Sequence, residues 1–155
     1  MSTKNQNYQK QLRHYKDLYG DKEVDLKKVA SWMIKNGTKA PTPKTAEELL
    51  ASELAAALRE ETRYDRKTGR PYRANHAVPT DQGNLWIDID ENPPRRSMHK
   101  SLMKRREQMV GDGLQLSLDA EHWNNENPNE EPIQIPLDFE MDVEIRKLAP
   151  EEKAA

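Results

Sequence analysis

The chain has 155 residues, 34% of them charged, 34% apolar and only 6% aromatic. With a mean hydropathy of −1.09 it can build only a small core, and no apolar run reaches the roughly 18 residues of a membrane span. The N-terminus shows no apolar signal segment, and the lack of cysteine excludes disulfides, thiolate metal sites and thiol chemistry, so the expectation is a cytoplasmic protein with no membrane contact. Net charge is −2, yet residues 1–118 hold 22 basic against 16 acidic side chains and residues 119–155 hold 3 against 11. A basic body therefore precedes an acidic end.

Residues 1–7 are polar and read as a flexible N-terminus. Tyr8, Leu12, Tyr15 and Tyr19 then recur at helical spacing up to Gly20. Asp25 is placed to cap a second helix with Val29, Trp32 and Met33 on one face, stopping at Asn36-Gly37. After the stiff Ala40-Pro41-Thr42-Pro43 connector, Thr45 and Glu48 form a capping box that opens an alanine-rich third helix ending near Glu61.

Residues 63–73 are basic and turn-rich. Tyr72 to Val78 and Leu85 to Ile89 flank Asp81-Gln82-Gly83-Asn84, a β-hairpin pattern with Leu85, Ile87 and Ile89 facing inward. His76 shares the inward face with Ala74 and Val78 and reads as a hydrogen-bonded core or rim histidine. Pro93-Pro94 introduces a long helix with Met98, Leu102, Met109 and Leu116 toward the core and a kink expected at Gly111 and Gly113. From Ile133 to Ile145 every second residue is apolar, the pattern of a half-buried strand, with Pro136 favouring a sheet edge. The expected fold is α+β: three N-terminal helices, a β-hairpin, one long basic helix and a C-terminal strand completing a small antiparallel sheet. A helical part (8–61) and a ββαβ part (62–148) would pack as one domain, followed by a charged tail (149–155).

No nucleophile elbow, phosphate loop, dinucleotide turn or zinc-protease motif occurs, and no cofactor is expected. Asp88, Asp90 and Glu91 are the one candidate divalent-metal cluster, since two carboxylates at i, i+2 can share a cation, as in a metal-dependent nuclease. Such an enzyme needs further acids and a lysine, and no Glu-x-Lys strand follows. Acids on the solvent face of a strand are the ordinary reading, and no catalytic residue is assigned.

Two basic runs point to nucleic acid. Arg63, Arg66, Lys67, Arg70 and Arg73 surround Tyr64 and Tyr72, a mixture suited to phosphate contact and stacking on DNA or RNA. In the long helix Arg96, Lys100 and Lys104 align at i, i+4, i+8 with no acid between residues 95 and 106. A helix face that repels itself calls for an anion against it, either phosphate or the chain's own acidic strand. Three helices and a hairpin resemble a winged-helix order, but the third helix carries Glu47, Glu48, Glu53, Glu60 and Glu61, which phosphate would repel.

Gln134-Ile-Pro-Leu137-Asp-Phe139 is similar to the Gln-x-x-Leu-x-Phe peptide of bacterial sliding-clamp-binding proteins. That resemblance implies Gln134 as a polar anchor and Leu137 and Phe139 as apolar plugs in a clamp pocket. Pro132 and Pro136 bias the segment toward an extended form and lower the cost of ordering it. More broadly, residues 59–145, with Lys67-Thr-Gly-Arg70, Asn75-His76-Ala77, Arg105-Arg-Glu-Gln108 and His122-Trp-Asn124, resemble uncharacterised bacterial or prophage-type proteins, which implies a bacterial or phage cytoplasm.

The function expected from these readings is a small non-catalytic accessory protein at DNA, with basic loop and helix on phosphate and the C-terminal segment on a protein partner such as the sliding clamp. The alternative is an interaction or assembly module without a nucleic-acid role, in which the basic helix packs on Asp138, Glu140, Asp142 and Glu144 or on a second copy.

Overall fold

A computed structural model of the chain describes residues 1–148; the charged tail expected over 149–155 lies outside the described residues. The chain forms two compact units, Met1–Glu48 and Leu49–Ala155.

In the first unit, α1 (Lys4–Tyr19) begins earlier than the polar N-terminus implied, because Thr3 and Gln6 form a capping box. The Gln6 amide donates to Thr3 Oγ1 at 3.1 Å and the Thr3 amide to Gln6 Oε1 at 2.8 Å, which satisfies two helix-end donors. Gly20 ends α1 at φ 68°, a left-handed position that glycine occupies without Cβ strain. The second helix, α2 (Leu26–Lys35), is capped by Asp25, which accepts from the Lys27 amide at 2.9 Å. The Tyr15 and Trp32 rings meet edge-on with centroids 5.4 Å apart, and Val29 is buried. The Thr38 hydroxyl donates to Gln11 Oε1 at 2.7 Å, tying the end of this helical hairpin to α1.

The third helix, α3 (Ala46–Glu60), starts at the expected Thr45–Glu48 capping box, with bonds of 3.2 and 3.3 Å. Two antiparallel two-stranded sheets follow rather than one larger sheet. The first pairs β1 (Thr62–Tyr64) with β2 (Pro71–Arg73), placing Arg63 opposite Tyr72. The second is the expected hairpin, β3 (Asn75–Thr80) with β4 (Gly83–Asp88), Val78 opposite Leu85 and His76 opposite Ile87. Gly83 closes its turn at φ 102°. The Ala74 backbone joins the sheets, its amide donating to Glu61 O at 3.0 Å and its carbonyl accepting from the Ile89 amide at 2.9 Å.

His76 and Val78 of β3 and Ala74 just before it are buried on one side, as the alternation predicts, and His76 Nε2 lies 2.8 Å from Arg73 O. The inward assignment of Leu85 fails: near the turn of the hairpin it stays exposed.

The long helix, α4 (Arg95–Glu126), follows Pro93-Pro94 and runs through Gly111 and Gly113 without a break. Ser101 anchors it. Buried against β3, its hydroxyl donates to Ala77 O at 2.6 Å. Of the four α4 residues expected to face a core, only Met98 is half-buried; Leu102, Met109 and Leu116 are exposed, because β3 covers only the first turns of the helix. No helix among the described residues is long and apolar enough to cross a membrane.

The largest departure from expectation is the C-terminal strand. Residues 133–139 belong to no helix or strand, and Glu140–Leu148 form a helix, α5. Pro132 and Pro136 supply no amide donors to a ladder. The segment instead lies along α4 as an arm. Asn124 holds its start like a neighbouring strand would, its Nδ2 donating to Ile133 O at 2.9 Å and its Oδ1 accepting from the Ile133 amide at 2.8 Å. Gly113 sits where the arm passes, since a Cβ there would lie 3.9 Å from Leu137 Cδ2.

Candidate functional site

The densest charge cluster joins the two sheets. Arg63 Nη1 donates to Asp88 Oδ1 at 2.8 Å and to Asp90 Oδ2 at 2.6 Å; Nη2 donates to Asp88 Oδ2 at 2.8 Å and to Glu61 Oε2 at 3.2 Å. The Tyr72 hydroxyl donates to Asp90 Oδ2 at 2.9 Å, and the Asp90 amide to Asp88 Oδ1 at 2.8 Å. Fork-to-fork pairing stabilises the charged form of every partner. The Arg63 hydrogen bond, followed by the Asp90 amide, holds the Asp88 carboxyl down at about 2. Arg63 and then Tyr72 lower Asp90, while Asp90 raises the Tyr72 phenol. Bonds to Asp88 and then Asp90 push the Arg63 guanidinium further above its ordinary value.

Two sequence-based assignments change as a result. Arg63 leaves the phosphate-contacting set, because three carboxylates already occupy its donors. Asp88 and Asp90 face a guanidinium, and Glu91 makes no side-chain bond to them. Among the described residues no group of three His, Asp or Glu side chains is arranged to hold a metal ion. The cluster is a clasp between β1 and the end of β4.

The rest of the basic loop is differently placed. Asp65 turns its carboxylate onto the backbone, accepting from the Lys67 and Thr68 amides at 2.8 and 2.9 Å, and these bonds lower its pKa. The only acid of the turn thus braces the loop. Arg66, Lys67, Arg70 and Arg73 form no ion pair among the described residues. Arg70 lines a shallow cavity of about 700 Å³ with Arg146 and Lys147 of α5, two cations outside the expected phosphate-contacting set.

At the start of α4, Pro94 offers no side-chain cap and the first turn has no acid. Arg95, Arg96, Lys100, Lys104 and Arg105 have no carboxylate within ion-pair distance among the described residues; Arg106 meets only its neighbour Glu107, at 3.5 Å. None of Asp138, Glu140, Asp142 or Glu144 pairs with this basic stretch, and Glu144 bonds Lys147 at 3.0 Å instead. Arg95 and Arg96 also stand in the first turn, where the helix dipole disfavours cations, so that end of the stretch has two reasons to attract an anion.

The arm sets Leu137 and Phe139 beside α4, while Gln134 is exposed. Leu137 and Phe139 remain 45% and 44% exposed and border a groove of about 870 Å³ with Met109, Val110, Leu114 and Val143. Compared with protein-family models, curated proteins and solved structures, the chain matches none.

Proposed function

We propose that the chain is a small non-catalytic accessory protein that binds nucleic acid through the basic stretch of α4 and the β1–β2 turn. One observation carries this reading: Arg96, Lys100 and Lys104 line up in the N-terminal part of α4 without an internal carboxylate partner among the described residues. Arg66, Lys67, Arg70 and Arg73 extend the cationic surface. Neutralising phosphates releases counterions, so affinity for a duplex or single-stranded oligonucleotide should fall linearly on a log–log plot against salt, by about 0.9 per duplex phosphate contacted. Exchanging Arg96, Lys100 and Lys104 for Glu together should abolish binding. Undetectable binding at low salt, or affinity indifferent to salt, would overturn the reading.

A second element of the proposal is partner docking by Gln134–Phe139. Its support is that the segment lies outside both sheets, with Leu137 and Phe139 nearly half exposed. A bacterial sliding clamp is the partner the peptide resembles. Leu137→Ala with Phe139→Ala should remove clamp capture while leaving the helical circular-dichroism signal intact; loss of that signal would make the two residues packing elements instead.

A further inference from the structure

A cavity of about 1000 Å³ lies within the first unit, between one face of α1 and the stretch 36–42 that follows α2. Three aromatic rings border it, Tyr8 and His14 of α1 and Trp32 of α2. The Trp32 ring is held edge-on by Tyr15, which stands outside the cavity, and the His14 ring lies 6.0 Å from it. The bond from the Thr38 hydroxyl commits the carbonyl oxygen of the Gln11 carboxamide, so its NH2 group is the end left to donate. Lys4 and Lys39 line the same cavity, and no carboxylate does. Neither lysine is in an ion pair among the described residues.

We propose that this cavity is a nucleotide site, which takes one unstacked base together with its adjoining phosphate. Aromatic rings stack on a base, carboxamides read its edge, and lysines supply the charge that phosphate needs. Lys4 Nζ lies 5.7 Å from the centre of the Tyr8 ring, which puts cation and ring within the span of a single nucleotide. A neutral sugar would leave both lysines uncompensated, and an acidic peptide would leave the rings without a planar partner. Trp32 and Gln11 are oriented beforehand by Tyr15 and Thr38, which lowers the cost of ordering them around a ligand. A free nucleotide and the end of a single strand present the same chemistry. The site shares no residue with α4 or the β1–β2 turn, so it does not depend on nucleic-acid binding there.

Titrating the full chain with adenosine 5′-monophosphate should shift the NMR amide signals of residues 4–14 and 36–42. Adenosine alone and inorganic phosphate alone should each bind about tenfold more weakly. An oligodeoxyadenylate that binds more tightly than the monophosphate marks a strand as the source, and the reverse order marks a free nucleotide. Tyr8→Phe keeps the ring and should bind as wild type, whereas Tyr8→Leu keeps apolar volume and should bind about tenfold more weakly. Lys4→Gln with Lys39→Gln, at two exposed positions, should remove the salt dependence while leaving the fold intact. The Glu exchange of Arg96, Lys100 and Lys104 should leave the monophosphate affinity unchanged, so this site and the α4 surface fail separately. No shifts at these amides, a short polyglutamate peptide or phosphate binding as well as the monophosphate, or an unaffected Tyr8→Leu would overturn the proposal.

Discussion

Arg63 and Asp88 meet as two forks, with Nη1–Oδ1 and Nη2–Oδ2 both at 2.8 Å, and this bond ties the first two-stranded sheet to the end of the second. A bidentate pair fixes orientation as well as distance. A lysine at position 63 would keep the charge and lose the geometry. Arg63→Lys should therefore lower Tm, and Arg63→Gln should lower it further by leaving Asp88 and Asp90 to repel each other. An unchanged Tm for Arg63→Gln would show the clasp to be dispensable.

The same pair determines an acid response. Asp88 titrates at about 2 in the folded chain against an ordinary 3.8. A depressed carboxylate stabilises the fold above its ordinary value, and that stabilisation is lost as pH falls toward the folded value. Urea midpoints should thus decline between about pH 4 and pH 2. The Asp88→Asn variant should have a lower midpoint at neutral pH and a weaker decline across the same window.

Ser101 is where α4 attaches to β3, through a buried hydroxyl bonded to Ala77 O at 2.6 Å. Ser101→Ala keeps the packing but strands a carbonyl, at a cost of about 1–2 kcal/mol. A Cβ-branched Val would add overpacking of about 1–3 kcal/mol. Chemical denaturation should rank wild type above Ala and Ala above Val.

The arm depends on Asn124. Asn124→Ala removes both bonds to Ile133, and hydrogen exchange over residues 133–139 should accelerate while the α4 amides stay protected. Gly111→Ala and Gly113→Ala should each add about 1 kcal/mol of helix stability, since Gly111 faces open space and a Cβ at 113 only touches Leu137 at 3.9 Å.

For nucleic acid, Lys67→Ala and Arg70→Ala should each reduce the salt slope by about 1 with similar effect on different sequences. Arg63→Gln should leave the slope unchanged, because its guanidinium already has three acidic partners.

Local chemistry made much of the architecture legible from residues alone. The Asp25 cap, the Thr45–Glu48 box and Gly20 each act within a few residues, and their helices stand where those signals put them; the Asp81–Gly83 turn likewise marks a hairpin, although Tyr72, expected in its first strand, belongs to the other sheet. The Thr3–Gln6 box is equally local and sets the start of α1 inside a stretch whose polarity suggests a loose end. The C-terminal region departs from the strand its alternation suggests, because apolar alternation does not by itself supply a hydrogen-bonding neighbour. A helix signal was present in the same residues: Glu140 and Asp142 in the first turn and Arg146 and Lys147 in the last suit the helix dipole.

The candidate site divides the same way. Its cations, its self-repelling helix face and the opposite charges at the two ends of α4 are properties of the sequence, because residues three and four apart on a helix must be neighbours. Which charges are spent internally was a tertiary decision. Glu61, Asp88 and Asp90 converge on Arg63 from across two sheets, while Arg96, Lys100 and Lys104 are left without a carboxylate among the described residues. The near-neutral total of −2 thus conceals a closed clasp and an open basic helix. Charge balance is additive along the chain, but ion pairing requires a few ångströms of approach that only the fold provides.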